Sequence, residues 1–193
     1  MDMLNPRQVG EAERIGRKQV KSIVNFLKRE APGFENAILT NIATRVGVRE
    51  TRRIVGQYTL TAEDILEQRS FDDVIALGCG PMDVHDPNGT SVSLSMPPAP
   101  WDIPMRCLVP AGVEGLLVTG RAISATQEAN GGSRHMATAM ALGHATGTMA
   151  AIAVDQANSP LSVPTKVVQA ALHDTAAAIS VEDCERLTQV NAN

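Results

Sequence analysis

The chain has 193 residues, 44% of them hydrophobic and 20% charged, with a net charge of −4. That is enough chain and apolar content for one domain with a real core. The charge gives no reason to expect nucleic-acid or membrane binding, and an aromatic content of 3% argues against a base-stacking surface.

Residues 1–6 show no basic region followed by an apolar run, so no secretory signal is expected. Asn5 before Pro6 reads as a helix start, because asparagine caps and proline fits the first turn. Val9, Ala12, Val20, Ile23, Val24 and Leu27 then recur at helical spacing, opposite a face rich in arginine and lysine, and Pro32-Gly33 ends the run. The face is read as a solvated surface, with a basic partner-binding helix as the alternative. Residues 36–44 and 46–60 hold many β-branched residues and are predicted to be strands. Arg49, Arg52 and Arg53 around Glu50 are either cross-strand ion pairs on a wet face or the lining of an anionic-substrate pocket. Thr61-Ala62-Glu63-Asp64 is a capping box with aspartate in the last position, and opens a short helix ending near Gln68.

Residues 73–77 read as a buried strand and residues 91–96 as another, followed by the stiff connector Met96-Pro97-Pro98-Ala99-Pro100. Between the strands, Gly78-Cys79-Gly80-Pro81-Met82-Asp83 imitates a dinucleotide fingerprint. The third glycine is replaced by Asp83, and Pro81 breaks the helix that the motif requires, so the fingerprint is rejected. The chain has no other GxGxxG and no P-loop.

Residues 115–120 form a short apolar run ending in Gly120, as a strand buried on both faces of a parallel sheet would. A loop over 123–132 and a helix over 133–154 are predicted next. Met136, Met140, Gly143, Gly147, Ala150 and Val154 make one stripe on that helix. Glycine inside a helix costs about 1 kcal/mol against alanine, so Gly143 and Gly147 imply a close approach by another element. No apolar stretch reaches about 18 residues, so no membrane span is expected. The tail reads as a helix over 165–178 and a second helix capped by Ser180. Cys79, Cys107 and Cys184 show no metal-ligand spacing, so no metal site is expected; free thiols in a reducing, cytoplasmic compartment are the simplest reading.

The most informative stretch is residues 103–147. Gly131 and Gly132 let backbone approach something closely. Ser133 is placed to cap the helix, whose free N–H groups carry a partial positive charge. Arg134 adds a full charge, and together they make an anion site. The order IPxRxLVP, LLVTGRxISAT, GGSRHMATAMALGHATGTMAA resembles the C-terminal signature of the FAD-dependent oxidoreductase family with a glutathione-reductase-type Rossmann fold. Residues 49–54 and 72–76 resemble its substrate-domain part.

The resemblance implies an α/β chain: the last strand and helix of a Rossmann-type FAD domain, part of a β-rich substrate domain, and a helical tail. The implied division is 1–100 for the substrate side, 101–155 for the FAD side and 156–193 for the tail. FAD is the implied cofactor, contacted by Gly120, Arg121, Gly132, Ser133, Arg134, His135 and Met136. Arg121 stands where many related flavoproteins carry aspartate. An N-terminal half with the FAD fingerprint is expected to come from a separate chain, or to be missing from a fragment; a homo-oligomer is a further possible partner.

The implied chemistry is hydride exchange with a small organic substrate. His135 is assigned to the flavin edge, against a capping role. His85, between carboxylates that favour its charged form, is either a proton-transfer group or a turn histidine. Arg106 either holds a substrate carboxylate or pairs with Asp102. His144 is read as structural, His173 as exposed, and Cys107 as unsuited to catalysis. The rival reading is a non-catalytic subunit, or an inactive fragment, that does not bind FAD alone.

Overall fold

The computed structural model describes residues 1–86, 91–156 and 158–190. The chain divides into two compact units, Met1–Thr51 and Arg52–Asn193.

The first unit is built on helix α1, Pro6–Glu30. Its start is as the sequence reads: the Asn5 side chain accepts from the Arg7 N–H at 3.0 Å, with Pro6 in the first turn. No α1 residue is buried, and Ile23 and Phe26 are more than half exposed. Residues 36–44 form no strand. β-branched composition supplies propensity, but a strand exists only where a neighbour completes its ladder, and none does so in this unit.

The second unit mixes helix with two small antiparallel sheets. In chain order it comprises α2 (Ala62–Leu66), β1 (Val74–Gly78), β2 (Met82–His85), β3 (Val92–Ser95), β4 (Trp101–Pro104), α3 (Gln127–Ser133), α4 (Met136–Asp155), α5 (Thr165–Asp174) and α6 (Val181–Val190). β1 pairs with β4, Ala76 opposite Ile103 and Gly78 opposite Trp101, with a bulge between Val74 and Ala76. β2 pairs with β3, Met82 opposite Ser95 and His85 opposite Val92. The core gathers Leu60, Ile65, Ile75, Trp101, Ile103, Leu108, Ile123, Leu142, Met149 and Leu172.

The capping box forms in full: Thr61 Oγ1 accepts from the Asp64 N–H, and the Asp64 carboxylate accepts from the Thr61 N–H at 2.9 Å. The predicted strand 46–60 survives as extended chain at its end. There Gln57 N–H donates to Val109 O and Leu60 N–H to Ser124 O, with single bridges Gly56–Pro110 and Leu60–Ala125. After the rejected fingerprint the chain runs into strand β2 instead of a helix.

Residues 115–120 overturn the strand expected there. The segment is irregular, Leu116 is nearly half exposed, and Gly120 opens a 3-10 turn at φ +70°. Its Val118 N–H reaches Leu108 O, but no flanking ladder forms among the described residues.

The helix expected over 133–154 is two helices. Thr126 caps α3 through the Ala129 N–H, and the chain breaks at Arg134–His135 before α4 begins. α4 packs on β1 and α5 with Leu142, Ala145, Met149 and Ala153 buried, while Met136, Met140 and Val154 are about four-fifths exposed. The close approach expected at Gly143 and Gly147 is therefore absent: a Cβ at either would meet nothing within 4 Å. By length and composition α4 is long and apolar enough to cross a membrane, against the expectation from unbroken apolar runs. Its small residues keep the average apolar although glycine, threonine and histidine interrupt it.

α5 stops four residues short of the expected end. Ala176 takes a left-handed conformation at φ +57°, Ala176 N–H donates to His173 O, and Ala177 N–H donates to Leu172 O. This pair of bonds is the Schellman stop. α6 begins as read, with Ser180 Oγ accepting from the Asp183 N–H at 3.1 Å.

Candidate functional site

Strand β2 lies against α3, and their contact sets the site. A Cβ on Gly131 would lie 2.8 Å from Asp83 O, and one on Gly132 would lie 3.2 Å from the Trp101 ring. The close approach that the sequence implied at the two glycines is made by the chain's own strand and tryptophan.

With α3 seated, Arg134 reaches β2. Its Nη2 donates to Asp83 O at 2.7 Å and lies 3.3 Å from Asp83 Oδ2, with the side chain 6% exposed. The other Asp83 oxygen, Oδ1, lies 3.1 Å from His85 Nε2. Arg134 and His85 therefore share one carboxylate. His135 Nε2 is 2.9 Å from Pro81 O, and its ring fills the space beside Gly80, where a Cβ would come within 2.7 Å of Nε2. His85, Gly132, Arg134 and His135 are thus gathered around residues 80–83, with Ser133 and Met136 beside them in the chain.

Arg134 is a correction in role. The sequence implied a cation added to an anion site, whereas the side chain is buried against Asp83. Ser133 is a second correction. It ends α3 fully buried, and α4 has no side-chain cap at all. Ser133 Oγ and Thr138 Oγ1, on either side of the break, are buried with no hydrogen-bond partner among the described residues. Polar groups are seldom buried unsatisfied, so the break concentrates unused hydrogen-bonding capacity beside the positive end of a twenty-residue helix. Met136 and Ala137, the first residues of α4, are exposed.

Gly120 and Arg121 sit in the 3-10 turn that touches α4, and Asn130 Nδ2 donates to Arg121 O at 3.1 Å. Arg106 stands apart. Its Nε and Nη2 donate to Asp73 Oδ2 and Oδ1 at 2.9 and 3.0 Å, and its guanidinium lies 5.1 Å over the Tyr58 ring. The pairing expected with Asp102 does not form. Asp102 instead accepts from the Phe71 N–H at 3.1 Å, and its carboxyl is raised, burial outweighing that bond. The Asp73 bonds push the Arg106 guanidinium further up.

Three groups went unassigned in the sequence. Asp83 was read as a misfit in a fingerprint and as a carboxylate neighbour of His85, with no partner in Arg134. Asp73 and Tyr58 carried no signal beyond lying in predicted strands. Tyr58 Oη donates to Asp64 Oδ2 at 2.8 Å and accepts from Arg69 at 3.1 Å, and burial, then the Asp64 bond, raise its pKa. His144 Nε2 meets Thr175 Oγ1 at 3.1 Å, a structural tie between α4 and the end of α5. His173, expected without a partner, lies 3.5 Å from Asp183. Cys107 is buried, and burial pushes its thiol up to about 12, as expected of a non-catalytic cysteine.

The arrangement can do two things. A histidine held by a carboxylate is suited to accept or deliver a proton, and His85 is 46% exposed. The open end of α4 favours an anion. The fold is a mixed helix-and-sheet one in which Asp83 brings His85 and Arg134 together at the α3–α4 break. Residues 1–172 match the model of the FAD dependent oxidoreductase family, so the chain belongs to that family and its cofactor is FAD. No curated protein and no solved structure matches the chain.

Proposed function

We propose that the chain completes the flavin site of an FAD-dependent oxidoreductase and lines part of the pocket for a small organic substrate. The observation that carries this is the uncapped start of α4 beside the unpartnered Ser133 and Thr138 hydroxyls. These residues fit an anionic edge of FAD, with Gly120, Arg121, His135 and Met136 around it. Bound FAD supplies hydride exchange, which leaves negative charge at one edge of the ring. The α4 end carries the compensating positive charge. Arg134 holds β2 to the α3–α4 break through Asp83, and so positions both His85 and the helix end. His85 moves the substrate proton, with Asp83 fixing its ring. Arg106 shapes the wall through Asp73 and Tyr58, and Arg52 belongs to the substrate side. The Rossmann identity, the division at residues 100 and 155, and a partner bearing the FAD fingerprint complete this reading.

The exposed stripe Met136, Met140 and Val154 favours cover by that partner. The same stripe supports the second reading, a non-catalytic subunit of an oligomer. A visible spectrum of the purified chain with FAD, alone and with a fingerprint-bearing partner, separates them. A perturbed flavin spectrum that weakens in Arg134→Ala supports the first reading. A free-flavin spectrum in both mixtures refutes it in favour of the second.

A further inference from the structure

Cys79 and Cys184 are far apart in sequence but line one cavity of about 250 Å³, together with Ile75, Leu77, Ala137 and Ala141. Cys79 follows β1, and Cys184 lies in the first turn of α6. Cys79 is exposed, Cys184 half-buried and Cys107 buried. The two cavity thiols are within electrostatic reach: burial first, then Asp183, then Cys79 raise the Cys184 thiol. Both stand on anchored backbone. Gly78 and Gly80 on either side of Cys79 abut Trp101 and His135, and α6 is held at its start by the Ser180 and Asp183 side chains.

We propose that Cys79 and Cys184 are a reversible thiol–disulfide pair that clasps α6 to the end of β1. The oxidant is a small-molecule disulfide, RSSR. The exposed Cys79 thiolate attacks one of its sulfurs; the RS–SR bond breaks, one RS⁻ leaves, and Cys79 carries the mixed disulfide. Cys184 then loses its proton to solvent and attacks Cys79 Sγ; the Cys79–SR bond breaks, and the second RS⁻ leaves and is protonated. Two cysteine thiols are oxidised by two electrons, and one RSSR is reduced to two RSH. Exposure makes Cys79 the first attacker. The bond would tie α6 to the turn whose Gly80 supports His135, and excess small thiol would reverse it.

The test uses the whole chain with oxidised glutathione as RSSR, alkylation of remaining thiols under denaturing conditions, and unreduced tryptic mapping. The three cysteines fall in three separate tryptic peptides, 70–106, 107–121 and 167–186. The expected result, on a chain that stays monomeric in a non-reducing gel, is peptide 70–106 joined to 167–186 with two hydrogens lost, and 107–121 alkylated. Cys184→Ser should stop at the mixed disulfide on Cys79. The proposal is overturned if wild-type Cys79 retains glutathione while Cys184 remains a free thiol, or if the only linkage joins two chains. Neither result depends on FAD.

Discussion

Gly131→Ala should destabilise the chain, although it replaces a glycine inside a helix with the best helix former. The added Cβ would sit 2.8 Å from Asp83 O and 3.1 Å from Asp83 N, where ordinary contact begins at about 3.4 Å. α3 or β2 must then move by about 0.6 Å, and both obstacles are backbone, which cannot swing aside as a side-chain end does. Overpacking of this kind costs about 1–3 kcal/mol, and removing the helical glycine returns up to about 1 kcal/mol. The net loss is about 1 kcal/mol, or about 2–4 °C in Tm at this size. Gly143→Ala is the control: nothing lies within 4 Å of its Cβ, so the helix gain of up to about 1 kcal/mol is realised in full. Two identical substitutions in successive helices should therefore move stability in opposite directions. Urea unfolding followed by the fluorescence of Trp101, the single tryptophan, measures both. If Gly131→Ala unfolds at or above the wild-type midpoint while Gly143→Ala behaves as expected, the packing argument for β2 and α3 is wrong.

Arg134→Met should cost about 1.5–3 kcal/mol in the same assay, because it removes the charge-assisted bonds to Asp83 from an arginine that is 6% exposed, while the other Asp83 oxygen keeps His85; a loss below about 0.5 kcal/mol would show that the pair does not hold the site. Thr61→Ala removes the hydroxyl that accepts from the Asp64 N–H, leaving the backbone Thr61 N–H bond to Asp64 in place, and should cost about 1 kcal/mol; an unchanged urea midpoint would contradict the cap. Burial opposes ionisation of Asp183, but bonds from Ile179 and Ser180 with the charges of His173 and Arg186 outweigh it and hold its pKa below the ordinary carboxylate value of 3.8. A carboxyl depressed in the folded state stabilises above its unfolded pKa and loses that contribution as pH falls through the folded one. The tail should therefore loosen as pH falls below about 4, seen as faster limited proteolysis after α5, and Asp183→Asn should remove that acid step; a step that persists would assign it to another group.

Much of the local structure was legible because its causes are local. Asn5-Pro6, Thr61 to Asp64 and Ser180 are short polar sequences whose side chains cap the backbone a few residues away. The strand at 74–78 showed as an apolar run, and the fingerprint failed on Asp83 and Pro81 as read. The motif over 103–147 identified the family from residue order alone. What failed depended on partners remote in sequence. Residues 36–44 and 115–120 have strand composition, but a strand is completed by its neighbour, and composition does not name one. Gly131-Gly132 announced a close approach, yet only the folded chain showed that β2 and Trp101 make it. Arg134 was correctly singled out, but its charge is turned inward to Asp83, a residue fifty-one positions away. Arg106 likewise found Asp73 across the sheet instead of its neighbour Asp102. The sequence by itself determined the caps, the redox family and the list of candidate groups. Tertiary structure alone decided which of those groups meet, because ion pairs and glycine contacts are set by how strands and helices are stacked.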